Sequence, residues 1–170
     1  EAQLQSIVLL KNKANVLPLQ TKKTIYIPRR YIAPSRHFLG FPIPASNEYP
    51  INMELVKKYF NVTENPAEAD LALVCIENPK GGIGYDKEDV AKGGNGYLPI
   101  SLQYGDYVAN DAREVSIAGG DPLENFTNRS YKGKTAKSRN LTDIQMIEET
   151  RQKMQGKPLI VSINVSNPMV

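Results

Sequence analysis

The run Leu71-Ala72-Leu73-Val74-Cys75-Ile76 limits what this chain can fold into more than any other stretch. Consecutive apolar residues with no polar alternation describe a strand covered on both faces, as an interior strand of a parallel sheet must be. Behind it comes a Gly- and Asp-rich segment, Glu77 to Arg139, before helical periodicity resumes. Strand-to-helix connections ordinarily take about 2–6 residues, and this one is roughly ten times longer. Ligands of parallel sheets gather in the connections that leave the carboxyl ends of the strands. Residues 77–141 are therefore expected to form a functional excursion from the middle strand.

The rest of the chain supplies neighbours for that strand. Leu4, Ile7, Val8 and Leu10 follow helical spacing, and Lys11, Asn12 and Lys13 are expected to close that helix. Val16-Leu17-Pro18-Leu19 reads as an apolar extended plug, because Pro18 biases Leu17 away from helix. Lys22 to Pro28 reads as a first strand ended by its proline. Residues 29–50 hold Pro34, Pro42, Pro44 and Pro50 with little periodicity, so an irregular loop without a helix is expected, with His37 on its surface. Ile51, Leu55, Val56, Tyr59 and Phe60 return to helical spacing, with Asn52 as cap and Glu54 in the first turn. A short link, Asn65 to Asp70, leads into the Leu71 strand and completes a strand–helix–strand crossover.

After the excursion, Thr142 and Gln145 have capping-box spacing at the start of a helix whose apolar side is Ile144, Ile147 and Met154. Gly156 stops it, and Pro158 to Val165 is a third strand broken by Ser166-Asn167-Pro168. Three parallel strands leave sheet edges and apolar faces uncovered, so the chain is expected to be part of something longer.

With 170 residues and 41% hydrophobic content, there is material for one core. Twenty-one Lys and Arg against eighteen Asp and Glu give a formal +3, too mild to imply a nucleic-acid partner. No apolar run approaches the roughly 20 residues that span a bilayer, so a soluble protein is expected. Cys75, the single cysteine, reads as a small buried hydrophobe, and with one His the chain offers no His/Cys metal constellation. Metal ligands: none are expected.

Ser6-Ile7-Val8-Leu9-Leu10-Lys11-Asn12, followed by Leu17-Pro18-Leu19, resembles the opening of the second, α/β sandwich domain of glycoside hydrolase family 3, the family of β-glucosidases and β-xylosidases. The resemblance implies an α/β fold, a three-layer αβα sandwich with a mainly parallel sheet, incomplete in this chain and carrying residues 77–141 as a long irregular insertion. It makes residues 1–170 a partial sandwich domain of a larger glycosidase. The partner it implies is an N-terminal (β/α)8 barrel of the same protein that supplies an aspartate nucleophile, and the substrate is a carbohydrate. No cofactor is implied, and family members in Gram-negative bacteria are often exported, so a periplasmic or secreted protein is expected.

Retaining glycoside hydrolysis needs a second carboxyl group roughly 5–5.5 Å from the nucleophile to protonate the leaving oxygen. Several family members carry that glutamate in a run like Glu-Gly-Tyr-Asp-Arg on a loop of this domain. This chain has Ile83-Gly84-Tyr85-Asp86-Lys87-Glu88-Asp89 there, so Gly-Tyr-Asp matches while Ile83 stands in the glutamate's position. Isoleucine cannot transfer a proton. The catalytic candidates are therefore Glu88, Asp86 and Asp89, with Glu77 at the strand end as an outside choice, unless the domain is a non-catalytic sugar-binding module or brace. Tyr85 and Tyr97 are candidates for sugar-facing rings, joined by Tyr104 and Tyr107; such rings also pack their own loops. Gly81-Gly82-Ile83-Gly84 lacks the full Gly-x-Gly-x-x-Gly spacing, and no helical pattern follows it, so nucleotide binding is not expected. Arg129, Lys132, Lys134, Lys137 and Arg139 read as a solvated basic run. Asn61, Asn125, Asn128, Asn140 and Asn164 each begin an Asn-x-Ser/Thr triplet, of consequence only in a glycosylating host.

Overall fold

The computed structural model describes residues 6–37, 39, 41–81, 86–115, 130–167 and 169. Leu4, Ile83, Tyr85, Asn125, Asn128 and Arg129 lie outside the described residues. In chain order the strands are β1 Thr24–Tyr26, β2 Arg30–Ile32, β3 Ser35–Arg36, β4 Pro42–Ile43, β5 Ser46–Glu48, β6 Asn61–Thr63, β7 Leu71–Glu77, β8 Tyr107–Val108, β9 Thr135–Ala136 and β10 Leu159–Asn164. The α-helices are α1 Met53–Tyr59, α2 Lys87–Ala91 and α3 Thr142–Met154.

The fold is α/β. Four strands make a sheet in the order β10-β7-β1-β6, every pairing parallel. The expected strand β7 is interior, with β1 on one side and β10 along Ala72 to Glu77 on the other. Side chains alternate between faces along a strand, and residues in register on neighbouring strands share a face. Ile25 and Leu71 are in register and pack with Val56 of α1 on one face. Tyr26, Ala72 and Leu159 are in register and pack with Met154 of α3 on the other. Burying a side chain such as Met154 completely contributes about 1.5–3 kcal/mol, and Met154 is only 1% exposed.

Helix α1 starts as its sequence dictates: Asn52 Oδ1 accepts from the backbone N–H groups of Glu54 (3.0 Å) and Leu55 (3.2 Å). Strand β6 follows at once, a sheet member that the sequence reading missed, because three residues with Asn and Thr give no period to read. In place of a wholly irregular loop, residues 29–50 form two antiparallel ribbons, β2 with β5 and β3 with β4. His37 is exposed, as expected.

Three expected features are corrected. Residues 7–12 are not helical; Ile7, Val8, Leu9 and Leu10 are 75%, 73%, 61% and 86% exposed, and a helix without a surface to cover has nothing to offset its nucleation cost. Asn12 closes a small loop instead, its side chain accepting from Leu17 N (3.1 Å) and donating to Leu17 O (2.7 Å). In the plug that follows, Leu19 packs against the core as expected, but Val16 has helical backbone angles (φ −59°, ψ −36°) rather than extended ones. Thr142 is not the cap of α3: the flanking residue is Leu141, and no side chain caps the helix there. At the other end Gln155 (φ 49°) and Gly156 (φ 88°) turn into left-handed geometry and stop the helix.

Candidate functional site at the strand tips

Strands β7 and β10 end side by side, with Asn164 in register with Glu77. Beyond these tips sits a buried carboxylate, Asp143 in the first turn of α3, only 1% exposed. Arg30 of β2 reaches it with two hydrogen bonds, and Asn140 Nδ2 donates to it at 2.9 Å. The same Arg30 holds Glu77 Oε2 at 3.1 Å, which Lys80 Nζ also meets at 2.5 Å. The hydrogen bonds that Arg30 donates to Asp143 push the guanidinium above its ordinary value, against the opposing effect of burial. Burial pushes Glu77 up, but the Lys80 hydrogen bond together with the charges of Arg30 and Lys80 outweighs it and holds the carboxyl below its ordinary range.

The excursion is fastened to this cluster at both ends. Asn140 Oδ1 accepts from Lys80 N at 2.8 Å, and Arg139 N donates to Lys80 O at 2.7 Å. The Tyr104 hydroxyl donates to the Glu77 carbonyl; burial, reinforced by the nearby charges of Asp143 and Glu77, raises its pKa to about 12. Gly81 passes so close to Ser101 that a Cβ there would lie 2.3 Å from the Ser101 nitrogen. Asn78, 1% exposed, accepts from Ser166 N and Oγ, both at 2.9 Å.

A cleft of about 420 Å³ opens beside the tips. Arg30, Glu48, Glu77, Ser162 and Asn164 give it polar walls; Ile32, Pro50 and Ile51 give it an apolar side, and Cys75 also lines it. Cys75 is half-buried rather than buried, and burial raises its thiol pKa.

The three candidate carboxylates lie elsewhere, on the excursion. A helix does follow the glycine run, contrary to expectation, but α2 has five residues. Asp86 caps it, Oδ1 accepting from Glu88 N at 2.8 Å, and lines a second cleft of about 250 Å³ with Thr135, Lys137 and Arg139. Glu88 is exposed in the first turn. Asp89 Oδ2 accepts from Lys134 Nζ at 2.6 Å and from Gly96 N at 2.8 Å. The Lys134 hydrogen bond, then that of Gly96, holds its carboxyl below the ordinary range, the direction opposite to a general acid's need. So Lys134 of the basic run is an internal tether rather than a solvated cation. Tyr97 is half-buried; Tyr107 donates to Ile100 O at 2.7 Å and packs its own loop. Asn140 is buried and hydrogen-bonded, which removes it as a glycosylation acceptor.

Sequence reasoning overlooked Arg30, Asn140 and Asp143. One signal was present: Asp143, Thr150 and Met154 share the buried stripe of α3, so a charge stood at a core position and required a partner. The chain matches no protein-family model, no curated protein and no solved structure among those compared. Among the described residues, no helix is long and apolar enough to cross a membrane.

Proposed function

We propose that this chain is part of the second domain of a family 3 type glycoside hydrolase, an exo-acting β-glycosidase of β-glucosidase type that removes terminal sugars from oligo- and polysaccharides. In this reading the parallel sheet is the middle of a three-layer αβα sandwich, residues 77–141 are its insertion, and together they form one wall of a sugar pocket against a barrel domain. The observation that carries the reading is the fastening of the excursion to the outgoing tip of β7 through Glu77, Lys80 and Asn140, beside an open cleft. Of the three candidates, Glu88 is the one whose carboxylate has no partner among the described residues, which favours it as acid/base. The substrate is a carbohydrate, and export to the periplasm or medium belongs to the same reading.

A second reading, a non-catalytic brace or sugar-binding domain of the same architecture, is favoured by Ile83 and by the structural duties of Asp86 and Asp89. Assay of the chain joined to its barrel domain, and of residues 1–170 alone, on aryl β-glucoside and β-xyloside separates them. Turnover by the joined protein only is expected. Turnover by residues 1–170 alone overturns the division of labour, and no turnover by either leaves the brace.

A further inference from the structure

Asn95-Gly96, in the turn after α2, is the single Asn-Gly pair of the sequence. Such a pair can close on itself, the glycine nitrogen attacking the asparagine amide carbon. Glycine has no Cβ to shield that nitrogen.

Here both reacting groups are held by charged partners. Asp89 Oδ2 accepts from Gly96 N at 2.8 Å. Lys134 Nζ donates to that same oxygen and to Asn95 Oδ1, each at 2.6 Å. Tyr97 N also donates to Asn95 Oδ1, at 3.1 Å, in an Asx turn that folds the side-chain amide back over the Gly96 peptide. Asn95 Nδ2 donates to Ser130 O at 2.7 Å, which keeps the amide oxygen toward Lys134. The turn is shaped for this approach: a Cβ on Gly94 would lie 2.1 Å from Asp89 Oδ2, and Gly96 turns at φ 84°. The Asp89 and Lys134 side chains are 22% and 20% exposed, so water screens their charges only in part.

Each contact falls where ring closure needs it. As the Gly96 nitrogen attacks, its proton becomes acidic, and the carboxylate already on that N–H takes it. Negative charge develops on Asn95 Oδ1, where an ammonium and a backbone N–H already point.

We propose that Asn95 is a self-modification site, closed onto Gly96 as a succinimide by the folded chain with Asp89 as base and Lys134 Nζ and Tyr97 N–H as oxyanion donors. The Gly96 N–Asn95 Cγ bond forms, the Cγ–Nδ2 bond breaks, and Nδ2 leaves as ammonia with the proton taken from Gly96. Water then opens the ring to aspartate or isoaspartate. Either product is a carboxylate and cannot donate to Ser130 O, so the tie between the α2 turn and the segment leading to β9 is cut. The site needs neither a sugar nor a barrel, so it stands or falls separately from the glycosidase reading.

Peptide mapping of the 170-residue chain by mass spectrometry follows the succinimide, one ammonia lighter, and its hydrolysis products. A synthetic peptide of residues 87–99 is the unfolded reference; hydroxide must supply its base, so its rate climbs with pH. In the folded chain the charges that face Asp89 are Lys134 and Lys92, and the hydrogen bonds from Lys134 and Gly96 hold its carboxyl below the ordinary range, so the base is ionised throughout. Closure at Asn95 is expected to outpace the peptide at least about tenfold at about pH 6 and to stay nearly flat up to about pH 8. Asp89→Asn and Lys134→Met should each slow it at least about tenfold, and Asp89→Asn should restore the climb with pH. Closure slower than in the peptide, a climb with pH matching the peptide's, or an unchanged rate in either folded variant overturns the proposal. Should a variant not fold, the profile of the unsubstituted chain decides alone.

Discussion

Arg30 and Asp143, 113 residues apart in the chain, meet in a two-point ion pair with Nε–Oδ1 at 2.7 Å and Nη2–Oδ2 at 2.9 Å. The pair ties the ribbon after β1 to the first turn of α3 and closes the excursion between them. With side chains 12% and 1% exposed, neither charge has water to fall back on. Asp143→Ala should therefore cost about 3–5 kcal/mol, because it strands a buried guanidinium. Arg30→Met combined with Asp143→Leu should recover most of that loss, since an apolar pair leaves no charge unpaired. Urea unfolding of the single and double variants measures both, and equal destabilisation by the two contradicts the argument.

The acid limb of stability should come from Glu77 and Asp89. Both carboxyls are held below their ordinary values in the folded chain, so the unfolded chain binds more protons as the pH falls. Their contribution is complete above the ordinary carboxylate range and is lost as pH drops through the depressed folded values. Melting temperature should accordingly be flat near neutrality and fall below about pH 5. Asp89→Asn should lower it at neutral pH and make the acid limb shallower. A variant with an unchanged limb would show that the Lys134 contact is not felt in the folding equilibrium.

How far the sequence could be read follows from the same residues. β7 was legible because Leu71 to Ile76 satisfies both faces of a sheet by itself, and α1 because Asn52 supplies its own cap. Ile7 to Leu10 misled because helical spacing describes a face, not the partner that would cover it. The long-range contacts were invisible: nothing local in Arg30 specifies Asp143, and Asn140 takes its meaning from a backbone N–H 60 residues away. The candidate site divided accordingly. Its location at the strand tip was legible from length and order, but Glu77, Arg30 and the cleft beside them depend on tertiary pairing.

Substitution at the start of α3 tests which residue organises it. Thr142 has the capping-box spacing but caps nothing, so Thr142→Ala should change stability by less than about 0.5 kcal/mol. Asn140, 7% exposed, accepts from Lys80 N and donates to Asn78 O and to Asp143. Asn140→Ala leaves Lys80 N and Asn78 O without that partner and takes one donor from Asp143, which keeps Arg30, and should cost about 1–3 kcal/mol. Hydrogen exchange at the Lys80 amide gives a local measure: faster exchange is expected in Asn140→Ala and not in Thr142→Ala.

The candidate acids are separable by leaving group. A general acid protonates the departing oxygen, so its loss matters most when that oxygen leaves as a strong base and least when it leaves as a stable phenolate. Asp86 and Asp89 have structural work, one capping α2 and the other bound to Lys134, so Asp86→Asn and Asp89→Asn should affect good and poor leaving groups alike, through the fold. Glu88 is exposed; on the proposed glycosidase reading, with the chain joined to the barrel domain that reading calls for, Glu88→Gln should lower kcat on alkyl glycosides about 10²–10⁴-fold and on dinitrophenyl glycosides far less. The same variant should flatten the alkaline side of the kcat/KM profile, where an essential acid loses its proton. An equal, small loss on both substrates would remove Glu88 from the reaction and move the search to Glu77, whose ionised state already makes it a poor donor.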